Sequence, residues 1–142
     1  MSTEITRIKK ARLSLKGRAR CVLYNDSGLH ISEERGLLPL IHWLEDDPDF
    51  LRGASIADKI VGRAAAMIMV YGGVKEVFAS VMSNGAVDVF REAGIEYSYS
   101  MITIAISNRR GDGICPMERT VAPIKDPQTA YETLKHKVLS AE

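Results

Sequence analysis

Hydrophobic residues are most concentrated between Ala54 and Gly73, where positions 60–70 are apolar on nearly every side. A helix on a protein surface shows a polar stripe, so this pattern predicts a helix that is buried on all its faces. Gly72 and Gly73 follow the apolar run and predict its end, because glycine readily adopts the left-handed conformation that terminates helices. We expect the other elements to pack around this segment.

The charged residues of this segment are Asp58, Lys59 and Arg63, which the helical interpretation places together in the first turn. Asp58 is predicted as the N-cap, since its carboxylate can accept the free N–H groups of that turn. Two cations at the positive end of a helix dipole repel each other unless an anion joins them. Lys59 and Arg63 therefore indicate a phosphate or carboxylate site. The alternative is an ordinary capped helix whose cations extend into solvent.

The remaining periodic segments predict an α/β protein. Helices are inferred from apolar residues at helical spacing, and strands from alternation between turn signals. The predicted helices are Thr3–Leu15, Leu37–Leu44, Ala86–Ala93 and Asp126–Ser140, and the predicted strands are Arg20–Tyr24, Leu29–Ser32, Val74–Met82 and Ile95–Ser100. The succession of helix and strand over residues 58–100 is typical of parallel strands.

Ser83 and Asn84 precede the predicted helix Ala86–Ala93, and either side chain can cap it. Ligands in α/β proteins bind where strands end and helices begin. We therefore expect Ser83 and Asn84 to lie near Asp58 and Lys59 in one site.

A second candidate segment is the loop NRRGDGICPME at 108–118. Its arginines and glycines favour anion binding, and Pro116 predicts a helix start. A thiolate at Cys115 would be stabilised just before that start, and Glu118 would lie in the first turn, where a carboxylate is favoured. The alternative is a connector with a small buried thiol. The predicted anion-binding residues of this loop are Arg109, Gly111 and Gly113.

The composition of the 142 residues is that of a globular protein, with 46% hydrophobic and 26% charged residues. No apolar run is long enough for a membrane span, the N-terminus lacks an apolar signal core, and only two cysteines occur. These features predict a cytoplasmic protein in one domain. Residues 1–20 hold seven Lys or Arg and one Glu. We interpret this basic helix as a solvated face and consider a nucleic-acid partner the weaker alternative.

Known chemical motifs are absent from the sequence. It contains no phosphate-binding Walker loop, no GxGxxG and no HExxH motif. The three histidines have neither the mutual spacing nor the cysteine neighbours of a zinc site. We therefore predict no metal and no cofactor.

Three blocks carry a family resemblance: ADKIVGRAAA at 57–66, GIEYSYS at 94–100 and NRRGDGICPME at 108–118. With these blocks in this order, the chain resembles the domain-of-unknown-function family 1893 over residues 19–118. The resemblance implies a cytidine-deaminase-like fold, which is a three-layer α-β-α mixed sheet with helices on both faces. Together with the helices predicted from periodicity, this gives a basic helix at 1–18, a deaminase-like domain at 19–119, and a C-terminal helix at 120–142 that is expected to pack on it.

Zinc deaminases place His-x-Glu or Cys-x-Glu at the start of one helix and Pro-Cys-x-x-Cys at the start of the next. The corresponding positions here are 57–59 and 82–86, and neither holds a zinc ligand set. The resemblance therefore implies a pocket at this position, but not deamination.

Three functional hypotheses follow. The first is a metal-free enzyme acting on a nucleotide-like or phosphorylated molecule, in which Lys59 is the nucleophile or anion-binding group and Asp58 orients it. Cys115 and Glu118 would then supply a thiol and an acid or base. The second is a module that binds the same anionic small molecule without turnover, and the third is nucleic-acid contact through the basic helix. A homo-oligomer is left open, and the predicted ligand-binding residues are Gly62, Arg63, Ser83, Asn84, Arg109, Gly111 and Gly113.

Overall fold

The computed structural model describes residues 6–140, which form six helices and five strands within that range. The strands are β1 (Cys21–Asn25), β2 (Gly28–Ser32), β3 (Ser55–Val61), β4 (Glu76–Ser83) and β5 (Glu96–Thr103). The helices are α1 (Arg7–Ser14), α2 (Leu38–Asp46), α3 (Arg63–Gly72), α4 (Asn84–Ala93), α5 (Pro116–Val121) and α6 (Pro127–Ser140). Positions 3–5 of the first predicted helix lie outside the described residues.

The five strands form one mixed sheet in the order β2-β1-β3-β4-β5. β1 pairs antiparallel with β2 and with β3, whereas β3, β4 and β5 are parallel. α3 and α4 are the crossover connections that parallel pairing requires. The predicted α/β class and the predicted β1–β2 hairpin are confirmed.

Helices cover both faces of the sheet, as expected. On one face, α1 buries Ala11 against a small cluster that includes Val22 and Phe78. On the other face, residues of α2, α3, α4, α5 and α6 join the sheet in the main core. No helix within residues 6–140 is long and apolar enough to cross a membrane.

The long helix predicted within residues 54–73, with Asp58 as its N-cap, is wrong in its first turn. Residues 55–61 form β3, and the helix begins only at Arg63. A central strand covered on both faces has a continuous apolar sequence, and periodicity alone cannot distinguish it from a buried helix. The rest of the predicted helix is confirmed, because seven of the ten residues of α3 are buried and Gly73 ends the helix at φ +82°.

Successive side chains of a strand point to opposite faces of the sheet, and in the three parallel strands this alternation is interrupted once, at the same position in each strand. Pairing runs through Asp58, Ala79 and Tyr99, and resumes at Ile60, Val81 and Met101, with no pair recorded between these two rows. Before the interruption, Ala57 and Phe78 face α1. Residues four positions apart in a regular strand point to the same face. Val61 and Met82 follow Ala57 and Phe78 by four residues, yet they lie in the main core on the other face. The row of Ile60, Val81 and Met101 is consequently turned away from that core.

Candidate functional site

The N-terminus of α3 is closed by a carboxylate from α5. The Glu118 Oε1 atom accepts the N–H of Arg63 at 2.8 Å, and Oε2 accepts the N–H of Ala64 at 2.7 Å. Gly62, the residue before the helix, has no side chain that could provide this cap. The negative charge predicted at a helix start is therefore present within the chain, where it complements the positive end of the helix dipole.

Gly62 is needed for this contact because there is no room for a side chain. A Cβ atom at position 62 would lie 2.7 Å from Cδ of Glu118 and 2.7 Å from Cγ1 of Ile106. The φ of Gly62 is −103°, which any residue can adopt, so the requirement is steric and not conformational.

The Arg63 side chain makes a second contact between α3 and α5. Its guanidinium donates to the carbonyl oxygens of Val121 at 3.3 Å and Ile124 at 2.6 Å, at and beyond the end of α5. A cation is favoured at the C-terminal end of a helix. Glu118 and Arg63 thus join the first turn of α3 to both ends of the short helix α5. The structure places the Arg63 guanidinium on backbone carbonyls, and Arg63 does not line the cavity described below.

Asp58 lies within β3, so its predicted role as a helix N-cap is wrong. It is buried and pairs across the sheet with Cys21 of β1, whose thiol donates to the carboxylate. Burial raises the pKa of Asp58 to about 7, although the N–H groups of Lys59 and Ile60 and the Cys21 thiol act to lower it. Burial and the adjacent Asp58 also raise the pKa of Cys21 well above its usual value.

Lys59 follows Asp58 in β3 and is not part of a helix. Its side chain is half-buried, and its Nζ atom donates to the carbonyl oxygen of Gly17 at 3.1 Å. Lys59 therefore connects the central strand to the segment that follows α1.

A cavity of about 750 Å³ opens beside these residues. Six of the predicted site residues line it: Asp58, Lys59, Gly62, Arg109, Cys115 and Glu118. Five predicted residues do not line it: Arg63, Ser83, Asn84, Gly111 and Gly113. Ser83 and Asn84 were expected to share one site with Asp58 and Lys59, but they do not line this cavity.

Ser83 has a structural role at the start of α4. Its Oγ atom accepts the N–H of Ala86 at 3.1 Å, which confirms the predicted cap. This helix start lies near Arg63, since a Cβ atom at Gly85 would be 3.4 Å from Cβ of Arg63. Asn84 is exposed.

The loop between β5 and α5 is held by Asn108. Its Oδ1 atom accepts the N–H of Gly111 at 2.8 Å, and its Nδ2 atom donates to Asp112 at 2.9 Å. Gly111 has φ +77°, which favours glycine at this turn. The loop presents Arg109 and Arg110 to the cavity.

Sequence reasoning missed several residues of the cavity. Arg20, Glu34, Arg35 and Lys137 also line it, and they come from separate parts of the chain. The Cys21–Asp58 contact depends on the register between β1 and β3. No local sequence signal indicated these residues, because the sheet and the packing of α6 bring them together.

Nowhere between residues 6 and 140 do three or more His, Cys, Asp or Glu side chains form a group that could hold a metal ion.

Residues 10–138 match the family model described as a domain of unknown function, DUF1893. The crystal structure of a DUF1893 family protein (TM1506) from Thermotoga maritima at 2.70 Å resolution is similar to this chain, with a TM-score of 0.84 and 26% sequence identity. The similarity covers 96% of this chain and 92% of the Thermotoga protein. No curated protein matches. The resemblance inferred from the sequence is confirmed.

The contact between Gly62 and Glu118 predicts energetic coupling. Glu118→Ala removes an acceptor of two N–H groups and should lower the free energy of unfolding by about 0.5–2 kcal/mol, as loss of an N-cap does. Gly62→Ala should also destabilise the protein, because the methyl group displaces the carboxylate. Urea denaturation of both single variants and the double variant should show that Gly62→Ala costs less once Glu118 is truncated. Glu118→Gln should be intermediate, and strictly additive costs would contradict this contact.

The raised pKa of Asp58 predicts a stability that depends on pH. Folding favours protonated Asp58, which therefore contributes to the free energy of unfolding. This contribution is complete below about pH 4 and is lost as the pH rises through about 7. The unfolding free energy of Asp58→Asn, relative to wild type, should therefore increase over this range, by at most about 1.4 kcal/mol per pH unit. Denaturant titrations at several pH values measure this difference.

Asp126 provides a control whose effect on stability should depend on pH in the opposite direction, because hydrogen bonds from Thr129 lower its pKa. Its stabilising contribution is present above the usual aspartate pKa and is lost as the pH falls. Asp126→Asn should therefore be destabilising at neutral pH and lose its effect in acid. A difference between Asp58→Asn and wild type that stays constant from pH 4 to pH 8 would refute the assignment for Asp58.

Proposed function

Because the chain belongs to the DUF1893 family, which is defined as a domain of unknown function, we propose a function from the site itself. The cavity beside Asp58 binds a small anionic molecule of the nucleotide-like or phosphorylated class. Its volume of about 750 Å³ lies within the range of small-molecule sites.

The observation that carries the proposal is the excess of positive charge around the cavity. Among the described residues, six cations and three carboxylates line it. The cations are Arg20, Arg35, Lys59, Arg109, Arg110 and Lys137. Clefts lined by one sign of charge raise the local concentration of the opposite charge.

The three carboxylates compensate this charge only in part. Glu118 is bound to the first turn of α3. Glu34 lies 2.7 Å from Nδ1 of His42. Asp58, with a pKa of about 7, is partly protonated at neutral pH and then carries less than a full negative charge. An anionic ligand would therefore meet mainly the cations.

Six larger apolar side chains also line the cavity. They come from α2, β3, the loop after β5, and α5 and α6: Leu37, Leu38, Ile60, Ile106, Met117 and Val138. A ligand with an anionic group and a less polar body, such as a nucleotide, complements both parts of this cavity.

The sheet order and the crossover helices support the cytidine-deaminase-like part of the proposal, but the residues do not fit zinc. With the helix starting at Arg63, the first deaminase motif position is near Gly62–Ala64 and not at 57–59. The second helix start is Ser83–Ala86. Neither holds a cysteine or histidine, so we derive no metal-assisted step.

A second candidate function is proton transfer by Asp58. A carboxyl group whose pKa is about 7 can both accept and donate a proton at neutral pH, as general acids and bases do. Cys115 also lines the cavity, but the structure records no nucleophile–base pair among the described side chains that line it. We therefore rank binding of the anion ahead of catalysis.

Nucleic-acid binding by the basic helix receives less support. Arg12 lies 4.0 Å from the ring centroid of Phe78, Arg7 and Lys10 lie over Tyr24, and Arg7 also pairs with Asp26. These cations already have partners within the fold.

Thermal-shift titrations test the proposal. Adenosine 5′-monophosphate and inorganic pyrophosphate should raise the melting temperature, and neutral adenosine should not, because the cations supply most of the binding. Lys59→Met should weaken binding of the anions by roughly tenfold, or about 1.4 kcal/mol. Lys75→Met is the matched control, since Lys75 is exposed and outside the cavity.

Added salt should weaken the binding of both anions. Equal stabilisation by adenosine and its monophosphate, or an equal loss in Lys75→Met, would contradict the proposal. So would the absence of any shift with either anion at millimolar concentration. Native mass spectrometry of the purified protein provides an independent observation of a retained anionic ligand.

A further inference from the structure

The cavity changes in burial and charge from its opening to its floor. Four exposed cations lie at the opening: Arg35, Arg109, Arg110 and Lys137. The floor consists of the four lining residues that are buried: Asp58, Gly62, Ala64 and Ala65. The exposed fraction is 8% for Asp58, 2% for Ala64 and 5% for Ala65. Because glycine and alanine are small, the floor leaves space for a flat group, but it offers no cation to an anion.

The Asp58 carboxyl group lies on the same face of the sheet as the rest of the floor. Cys21, whose thiol donates to this carboxylate, belongs to the main core together with Ala64 and Ala65 of α3. Directly opposed residues of neighbouring strands share a face, and Cys21 is opposite Asp58. Asp58 therefore supplies the only polar side chain among the four floor residues.

Asp58 has capacity for one more hydrogen bond. A carboxylate accepts about four. Three donors already bind it, namely the Cys21 thiol and the N–H groups of Lys59 and Ile60. The remaining acceptor position is available to an N–H group of a ligand that reaches the floor.

Five apolar side chains are intermediate in burial between the opening and the floor. They are Leu37, Leu38, Ile106, Met117 and Val138. Such walls favour an aromatic ring over a sugar, because hydroxyl groups held against them would lose water without gaining a partner.

We propose that an aromatic ring bearing an amino group, such as adenine, enters the cavity first and donates one N–H to Asp58, while its phosphate remains with the cations of the opening. This inference rests on the proposed function and adds the orientation of the ligand and the chemistry of its buried end. It distinguishes aminated nucleotides from sugar phosphates, which carry the same anionic group but no aromatic ring.

Isothermal titration calorimetry with two nucleotides tests the contact. Purine riboside 5′-monophosphate lacks the amino group of adenosine 5′-monophosphate and is otherwise the same molecule. The wild-type protein should bind the adenosine nucleotide roughly tenfold more tightly at about pH 8, where an ionised carboxylate accepts the hydrogen bond. Ribose 5-phosphate should bind more weakly than either nucleotide, since it cannot bury a ring.

Asp58→Ala removes the acceptor and should bind the two nucleotides with equal affinity. Asp88→Ala is the matched control, because Asp88 is exposed on α4 and does not line the cavity. That variant should keep the preference of the wild-type protein.

A pH series on the wild-type protein gives a second test that needs no variant. The preference should decrease as the pH falls from about 8 to about 6, since Asp58 becomes protonated near pH 7 and then accepts the hydrogen bond more weakly. Other charged or titratable groups that contact Asp58 or line the cavity, including Cys21, Lys59, Cys115 and Glu118, act on both nucleotides alike and cancel in the ratio.

Equal affinity of the wild-type protein for the two nucleotides overturns this inference and leaves the proposed anion site intact. So does a preference that persists in Asp58→Ala, is lost in Asp88→Ala or does not change with pH, and so does tighter binding of ribose 5-phosphate. If none of the three phosphates binds, the proposed function fails, and this inference fails with it.

Discussion

The structure depends on one electrostatic contact, the carboxylate of Glu118 on the first two N–H groups of α3. α3 is buried on most of its surface, so these N–H groups have little access to water, and leaving them unpaired would be costly. Glu118 satisfies both of them from a helix more than fifty residues later in the chain. Gly62 leaves the space for this contact, and Arg63 stabilises the other end of α5.

This contact also limits where the proposed anion could bind. Because an internal carboxylate occupies the end of α3, the charge available to an external anion comes from the arginine and lysine side chains around the cavity. Asp58 contributes a second constraint, since its pKa of about 7 makes the charge of the cavity depend on pH. Protonation makes the cavity more positive, so anion binding should strengthen as the pH falls through neutrality.

Much of the fold could be predicted from the sequence because its signals are local. The turn between β1 and β2, the Ser83 cap, the start of α5 at Pro116 and the end of α3 at Gly73 all depend on residues close together in the chain. The error at residues 54–61 has a physical cause, since burial on both faces removes the alternation that identifies a strand.

The site could be predicted only in part. Glu118 was correctly expected in the first turn of a helix, but its interaction partner is the start of a different helix, which the sequence does not indicate. Asp58 was identified through a mistaken helix, and its contact with Cys21 depends on strand register. Arg20, Arg35 and Lys137 reach the cavity only through tertiary packing.

The most direct measurement of the central claim is amide hydrogen exchange at Arg63 and Ala64, resolved by NMR. First-turn amides of a helix have no intrahelical acceptor and exchange rapidly unless another group binds them. If Glu118 holds both N–H groups, they should exchange as slowly as amides within the body of α3. Exchange of either amide at the rate of an unprotected peptide would contradict the account.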